Sequence, residues 1–290
     1  MTSPATASVA SLSGKFSIGG DLPVTRMGYG AMRITGPGIW GDPADVPGAH
    51  AVLRRAVELG VTFFDTADSY GPETSERLIG EALAPYADDV VIATKCGLTR
   101  QGPGQWLPVG RPEYLRQQTE LSLRRLKLDA IPLQQLHRID PQVPVADSLG
   151  ALFDLVAAGK IRHVGVSEVT PEQLVDCQAC GPIAAVQNRY NLADREWDAM
   201  VDLCSDQNIA FIPWFPLAAG DTGKLAAAIG SAAAAHDATA NQVALAWLLH
   251  RSPAMLPIPG TSTIAHLEEN VAAAALPLTP EELAALDAAI

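Results

Sequence analysis

Basic residues are scarce in this chain: 20 lysines and arginines stand against 32 aspartates and glutamates, a formal net charge of −12 over 290 residues. So acidic a chain lacks the basic face that a phosphate polymer needs, which removes nucleic acid from the expected partners. A single dinucleotide is still allowed, because one phosphate group needs only a few local donors. Charged residues of both signs make up only 18% against 48% hydrophobic, too apolar for a disordered chain. No run approaches the roughly 18 consecutive apolar residues of a membrane span. The opening MTSPATASVASLSGKF has neither a basic n-region nor a continuous apolar core, so residues 1–14 read as a loose tail and not as a signal peptide. A globular, cytoplasmic protein with no membrane partner is the expectation.

Cysteine is sparse too. Of Cys96, Cys177, Cys180 and Cys204, the middle two form a C-x-x-C, but in a helical pattern with no second pair at zinc spacing and no nearby histidine. Small buried thiols are expected, and no metal. Two nucleotide fingerprints are also missing. Gly28 and Gly30 are followed by AMR and do not complete G-x-G-x-x-G, and at Gly223-Lys224 the P-loop's first glycine is Ala218 and its hydroxyl residue Leu225.

What is present is alternation. Short β-type runs recur as RMGYGAM at 26–32, VTFFDTA from 61, VVIATKC from 90, AIPLQQLH from 130, IRHVGVS from 161, AAVQNRY from 184, IAFIPWF from 209 and MLPIPG from 255. Helical patterns lie between them, such as AHAVLRRAVELG ending on Gly60 and PEYLRQQTELSLRRLKL opening on Pro112. NQVALAWLLHR is apolar around most of its circumference and should be buried. Strand and helix in alternation imply parallel pairing, and eight such units without a linker predict one α/β domain over residues 1–290, a (β/α)8 TIM barrel. An open doubly wound sheet is the alternative, and the absent glycine fingerprint speaks against it. GKFSIGGDLPVT reads as an N-terminal β-hairpin turning at Gly19-Gly20 and closing the barrel floor. The Gly/Pro-rich segments 34–48 and 98–110 are too long for simple connections and are expected to be active-site loops.

In such a barrel the chemistry sits at the C-terminal ends of the strands. There the runs present Asp65 followed by Tyr70, then Lys95, His137, Ser167, Gln187 and Asn188. A phenol is a weak acid near neutrality unless a cation such as Lys95 stabilises its phenolate. Asp65 would hold that lysine in place and charged, and His137 would orient a substrate oxygen. A hydrolase or lyase on this barrel would need a metal cluster or paired carboxylates, and the strand ends offer one histidine and one aspartate.

FFDTADSYG, ATKCG, QQLHR, HVGVSE, AVQNRYN, WFPL and IPGTSTIAHLEEN, in this order over roughly residues 25–275, resemble the aldo-keto reductase superfamily. The resemblance implies a barrel that binds NADPH without a Rossmann domain and reduces aldehydes or ketones. It implies Tyr70 as general acid, Lys95 and Asp65 as its tuning pair, and His137 as the group that orients the carbonyl. Ser167, Glu168 and Gln187 would meet the carboxamide of the cofactor, with Trp214 where a stacking tyrosine is usual and Phe215, Pro216 and Leu217 beside it. Many members have asparagine where Glu168 stands; a carboxylate accepts from the carboxamide amine but cannot donate to its carbonyl. Ile258, Gly260, Thr261, Ser262, His266, Glu269 and Asn270 would lie at the adenosine end. Members that strongly prefer NADPH usually carry arginine at the position of His266, and often a second cation at Gly260 or Thr263. Neither is present, so NADPH with appreciable NADH use is expected.

GYGAM, GIWGDP, TKCGLTRQGPGQWLP and WFPLAAG are similar to a bacterial branch that includes pyridoxal reductases. The expected partner is thus a small-molecule carbonyl, pyridoxal or another aromatic aldehyde framed by Trp40 and Trp106, and the expected protein a monomer or weak homo-oligomer. The rival expectation is a cofactor-sensing or regulatory barrel subunit with little turnover, which a degraded tetrad would favour.

Overall fold

The computed structural model describes residues 8–217 and 223–290. Two antiparallel strands come first, β1 (Lys15–Ile18) and β2 (Leu22–Thr25), followed by β3 (Tyr29–Gly30), β4 (Phe63–Asp65) and β5 (Val91–Cys96). A second antiparallel pair, β6 (Leu98–Gly102) and β7 (Gln105–Pro108), precedes β8 (Ile131–Leu136), β9 (Ile161–Ser167), β10 (Ile183–Gln187) and β11 (Ala210–Phe211). The helices are α1 (Val46–Glu58), α2 (Thr74–Leu83), α3 (Pro112–Leu126), α4 (Val145–Ala157), α5 (Pro171–Cys180), α6 (Asp198–Asp206), α7 (Gly223–Ala235), α8 (Ala240–Arg251), α9 (Ile264–Ala272) and α10 (Pro280–Asp287). Their starts follow the expected chemistry: Thr170, Thr239 and Thr279 cap α5, α8 and α10 in reciprocal capping boxes with Gln173, Gln242 and Glu282. As expected from its pattern, α8 buries Val243 through Leu248.

One parallel sheet of seven strands runs in the order β11-β10-β9-β8-β5-β4-β3. The expected eighth run, MLPIPG from 255, closes it into a barrel together with Ala254 before it. On one side Phe211 donates to the Ala254 carbonyl at 2.9 Å and accepts from Leu256 at 2.8 Å; on the other, Gly28 and Gly30 donate to the carbonyls of Pro257 and Pro259 at 2.9 and 3.5 Å. Pro257 and Pro259 have no N–H to return, so only half of a normal ladder forms toward β3. The two glycines are required there, because a Cβ on Gly30 would sit 2.6 Å from the Ile258 carbonyl oxygen.

Strand periodicity sorts the residues into layers. Phe63, Val91, Ala93, Leu133, Ala185, Ala210, Ile212, Leu256 and Ile258 fill the barrel interior. Phe64 and Ile92 point the other way, into a core beneath α1 and α2. The hairpin closes the floor as expected, with Phe16, Ile18, Leu22 and Val24 joining the interior cluster. Towards the strands' C-terminal ends the same inward positions become polar.

Two expectations change. The tail expected over 1–14 is shorter, because Val9–Ser13 forms a 3-10 turn with Ala10 buried, while residues 1–7 lie outside the described residues. The 98–110 segment is built as the β6–β7 hairpin.

Gly30→Ala is expected to lower stability in urea unfolding by about 1–3 kcal/mol by forcing the seam apart. Gly150→Ala, in the middle of α4 with open space where its Cβ would go, should raise it by up to about 1 kcal/mol.

Candidate functional site

The inward polar positions converge on Lys95. Its side chain is wholly buried, and Nζ donates to Asp65 Oδ2 at 2.6 Å, to the Thr66 carbonyl at 2.8 Å and to Tyr70 Oη at 3.5 Å. Burying an ammonium costs several kcal/mol unless such partners replace water. Asp65 is itself fully engaged: its Oδ1 accepts from Gln187 Nε2 at 2.9 Å and Gln135 Nε2 at 3.2 Å. Asp65 ends β4, Lys95 and Gln135 face inward from β5 and β8, and Tyr70 lies in the turn before α2. His137, one residue beyond β8, packs edge-on to Tyr70 with ring centroids 5.8 Å apart, and its Nδ1 is 3.3 Å from Ser69 Oγ.

Burial penalises the Lys95 ammonium, but Asp65 and Tyr70 outweigh that penalty and hold it above its ordinary value. Burial pushes the Tyr70 phenol up, and the opposing pull of Lys95 does not overturn this. His137 is held well below its ordinary value by burial and by the charges of Lys95 and Arg138. The site therefore presents a protonated phenol beside a fixed cation and a neutral imidazole at neutral pH. That combination can hold an oxygen and hand it a proton.

One wall is aromatic. Trp106 on β7 meets Tyr70 and His137 with centroids 6.2 and 6.5 Å away. Arg100, its cross-strand partner, stacks on it at 3.6 Å and lies 5.5 Å from the exposed Trp40 ring. The Arg100 guanidinium also donates to the carbonyls of Ile39, Ser69, Gly38 and Gln105 at 2.6, 2.7, 3.0 and 3.0 Å. It thus ties the 34–48 loop, the Tyr70 turn and the hairpin together. Sequence reasoning missed Arg100, because nothing local marks one arginine within a Gly/Pro-rich loop. It also missed Gln135, for which there was a signal: a glutamine pair inside the apolar IPLQQL strand, with Gln135 two positions before His137 and so on the same face.

The expected cofactor positions are assembled unevenly. Ser167 ends β9, and Gln187 turns its Nε2 into the tetrad. Glu168 accepts from the Arg189 backbone N–H at 2.8 Å and from the Trp214 indole N–H, so its carboxylate anchors the aromatic platform. Glu168 and Phe215 hold left-handed backbone with φ of 56° and 59°, a conformation asparagine tolerates better than glutamate. Phe215 is exposed, Pro216 buried and Leu217 half-buried, and the rest of WFPLAAG lies outside the described residues. Ile258 packs inside the barrel, and Glu269 accepts from the Thr239 hydroxyl at 2.7 Å. Ser262 and His266 are exposed at the start of α9, which Thr263 caps, and Thr261 Oγ1 accepts from the Thr263 N–H at 3.1 Å. Asn270 is only 3% exposed, on the buried face of α9 with Leu267 and Val271. Among those residues no group of three or more His, Cys, Asp or Glu is arranged for a metal, and no helix is long and apolar enough to cross a membrane. The four cysteines are free thiols.

Comparison with known proteins agrees with this geometry. Residues 26–290 match the model of the aldo/keto reductase family. The chain is 48% identical to an uncharacterised oxidoreductase of Schizosaccharomyces pombe over 99% of its own length and 93% of the relative's. It is 43% identical to pyridoxine 4-dehydrogenase of Escherichia coli strain K12, over 92% and 96% of the two lengths. A crystal structure of an aldo-keto reductase from Klebsiella pneumoniae in complex with NADPH superposes with a TM-score of 0.80 at 28% identity, covering 94% of each chain.

Lys95→Met is expected to cost about 3–5 kcal/mol in urea unfolding by stranding a buried carboxylate, and adding Asp65→Asn should restore most of that loss. Arg100→Met should open the hairpin, read as faster chymotryptic cleavage within 98–110 of a still-folded chain.

Proposed function

The chain belongs to the aldo/keto reductase family, and we propose that it reduces an aldehyde or ketone to the alcohol with NADPH as hydride donor and Tyr70 as proton donor. The observation that carries this reading is the buried Lys95 ammonium shared by Asp65 and Tyr70. Bound NADPH supplies the hydride. The protein's task is then to hold the carbonyl oxygen against Tyr70 and His137, exclude water behind Trp106, and deliver the phenolic proton to the developing alkoxide. Lys95 stabilises the phenolate left behind, and Asp65 keeps Lys95 charged and in place. The rival reading, a regulatory barrel with little turnover, depended on a degraded tetrad, and the four groups stand together.

Asn270, Ser167 and the Glu168-anchored Trp214 are the residues that would hold the cofactor. The NADPH complex of the Klebsiella relative supports the phosphorylated form. The cation absent at Gly260 has a physical cause: a Cβ there would sit 2.8 Å from the Gly30 carbonyl oxygen across the seam. It would also lie 3.5 Å from Cγ of Arg33. The stem of Arg33 thus runs past the position where Gly260 cannot carry a side chain, and in this reading its guanidinium serves the 2'-phosphate in place of that missing cation, together with the N-terminus of α9.

For the substrate, the identity to pyridoxine 4-dehydrogenase and the Trp106 wall support pyridoxal or a similar flat aromatic aldehyde. The four free thiols accord with a reducing, cytoplasmic compartment.

Tyr70→Phe should abolish carbonyl-dependent loss of NADPH absorbance while leaving NADPH binding intact. No NADPH or NADH oxidation by the wild type with any of a panel of aldehydes and ketones, pyridoxal included, would sink the reading. In the reductive direction, activity should stay level through neutral pH and fall only as pH rises through the raised Tyr70 value. His137, already neutral, should add no limb near the ordinary imidazole range. By fluorescence titration, Arg33→Ala should weaken NADPH roughly tenfold and leave NADH unchanged, and His266→Arg should tighten NADPH by a similar factor.

A further inference from the structure

Neither the tetrad nor the expected cofactor set uses Arg138. It follows His137 directly, is half-buried, and its Nη1 donates to the His137 carbonyl at 2.6 Å and to Ser167 Oγ at 3.1 Å. Both bonds leave from one nitrogen. Among the described residues, Nε and Nη2 have no hydrogen-bond partner and no carboxylate reaches ion-pair distance of the guanidinium. Burial lowers its pKa, and its charge is felt at both Tyr70 and His137. The charge of Glu168 only partly offsets that burial and makes no ion pair with it; a half-buried guanidinium without a paired carboxylate is unfavourable until a bound group supplies one, and its fork matches a planar oxyanion.

We propose that Arg138 is a specificity-determining residue that selects carbonyl substrates bearing an oxyanion close to the carbonyl carbon. Two sources carry that chemistry: a phenolate ortho to an aryl aldehyde, and the carboxylate of a 2-oxo acid. With the carbonyl oxygen held between Tyr70 and His137, the side chain next to His137 meets what flanks the carbonyl. The proposal rests on the carbonyl-reductase reading above and narrows its substrate class. Reduction itself is unchanged: a hydride adds to the carbonyl carbon, Tyr70 protonates the oxygen, and the flanking oxyanion keeps its charge.

The test measures kcat/KM for salicylaldehyde against benzaldehyde, which reads the phenolate, and for phenylglyoxylate against acetophenone, which reads the carboxylate. Wild type, Arg138→Met and Arg138→Lys are compared, with NADPH dissociation constants by fluorescence quenching. In Arg138→Met the preference for the oxyanion-bearing member of at least one pair should fall roughly tenfold or more, with partial retention in Arg138→Lys. General damage lowers both members and leaves the ratio, so unchanged ratios in both pairs overturn the proposal. A weakened NADPH constant with unchanged ratios would assign Arg138 to the cofactor instead. Quenching by salicylate, an unreactive mimic, should also weaken roughly tenfold in Arg138→Met. If no carbonyl is turned over but salicylate binding still depends on Arg138, the reductase reading fails and the oxyanion site stands. If neither holds, both fail.

Discussion

The ammonium of Lys95 is the most demanding group in the molecule, a full positive charge with no exposure to water. Everything around it answers that demand. Asp65 supplies the counter-charge, the Thr66 carbonyl and the Tyr70 oxygen take the remaining donors, and Gln135 and Gln187 hold Asp65 so that it cannot turn away. A charge fixed this firmly has little freedom to reorganise, which is the condition under which it acts most strongly on a charge developing nearby.

The same burial acts differently on the two groups beside it. It keeps the proton on the phenol and keeps protons off the imidazole. From the strand ends alone, Lys95 was expected to stabilise the phenolate. In the folded site that pull is present but smaller than the effect of burial, so Tyr70 rests as an acid and becomes an anion only by giving its proton away. Trp106, held by Arg100, helps maintain the dry surroundings on which this depends.

Period-two strands made much of this legible in advance. Asp65, Lys95 and His137 stand out because charged and polar residues end otherwise apolar runs, and alternation alone puts Phe63 inward and Phe64 outward. What could not be read depends on contacts between segments distant in sequence. The 98–110 loop shows no strand pattern, because its glycines and prolines mask a hairpin held partly by Arg100. Glu168 looked like an impaired substitute for asparagine until the Trp214 indole and Arg189 backbone appeared as its partners. Gly260 looked like a missing cation until the Gly30 carbonyl appeared across the seam.

That seam has a mechanical meaning. Seven strands are joined by two-sided ladders or bridges, whereas Pro257 and Pro259 only accept from β3, so the ring has one seam whose bonds all run in one direction. Local opening starts where backbone bonds are fewest, and a ligand that binds only the closed form raises the energy of opening by mass action. Gly260 and Arg33 flank the mouth end of this line, so a ligand gripping both would act as the missing fastener. Occupancy of the site and the tightness of the barrel wall would then be one equilibrium observed from two sides.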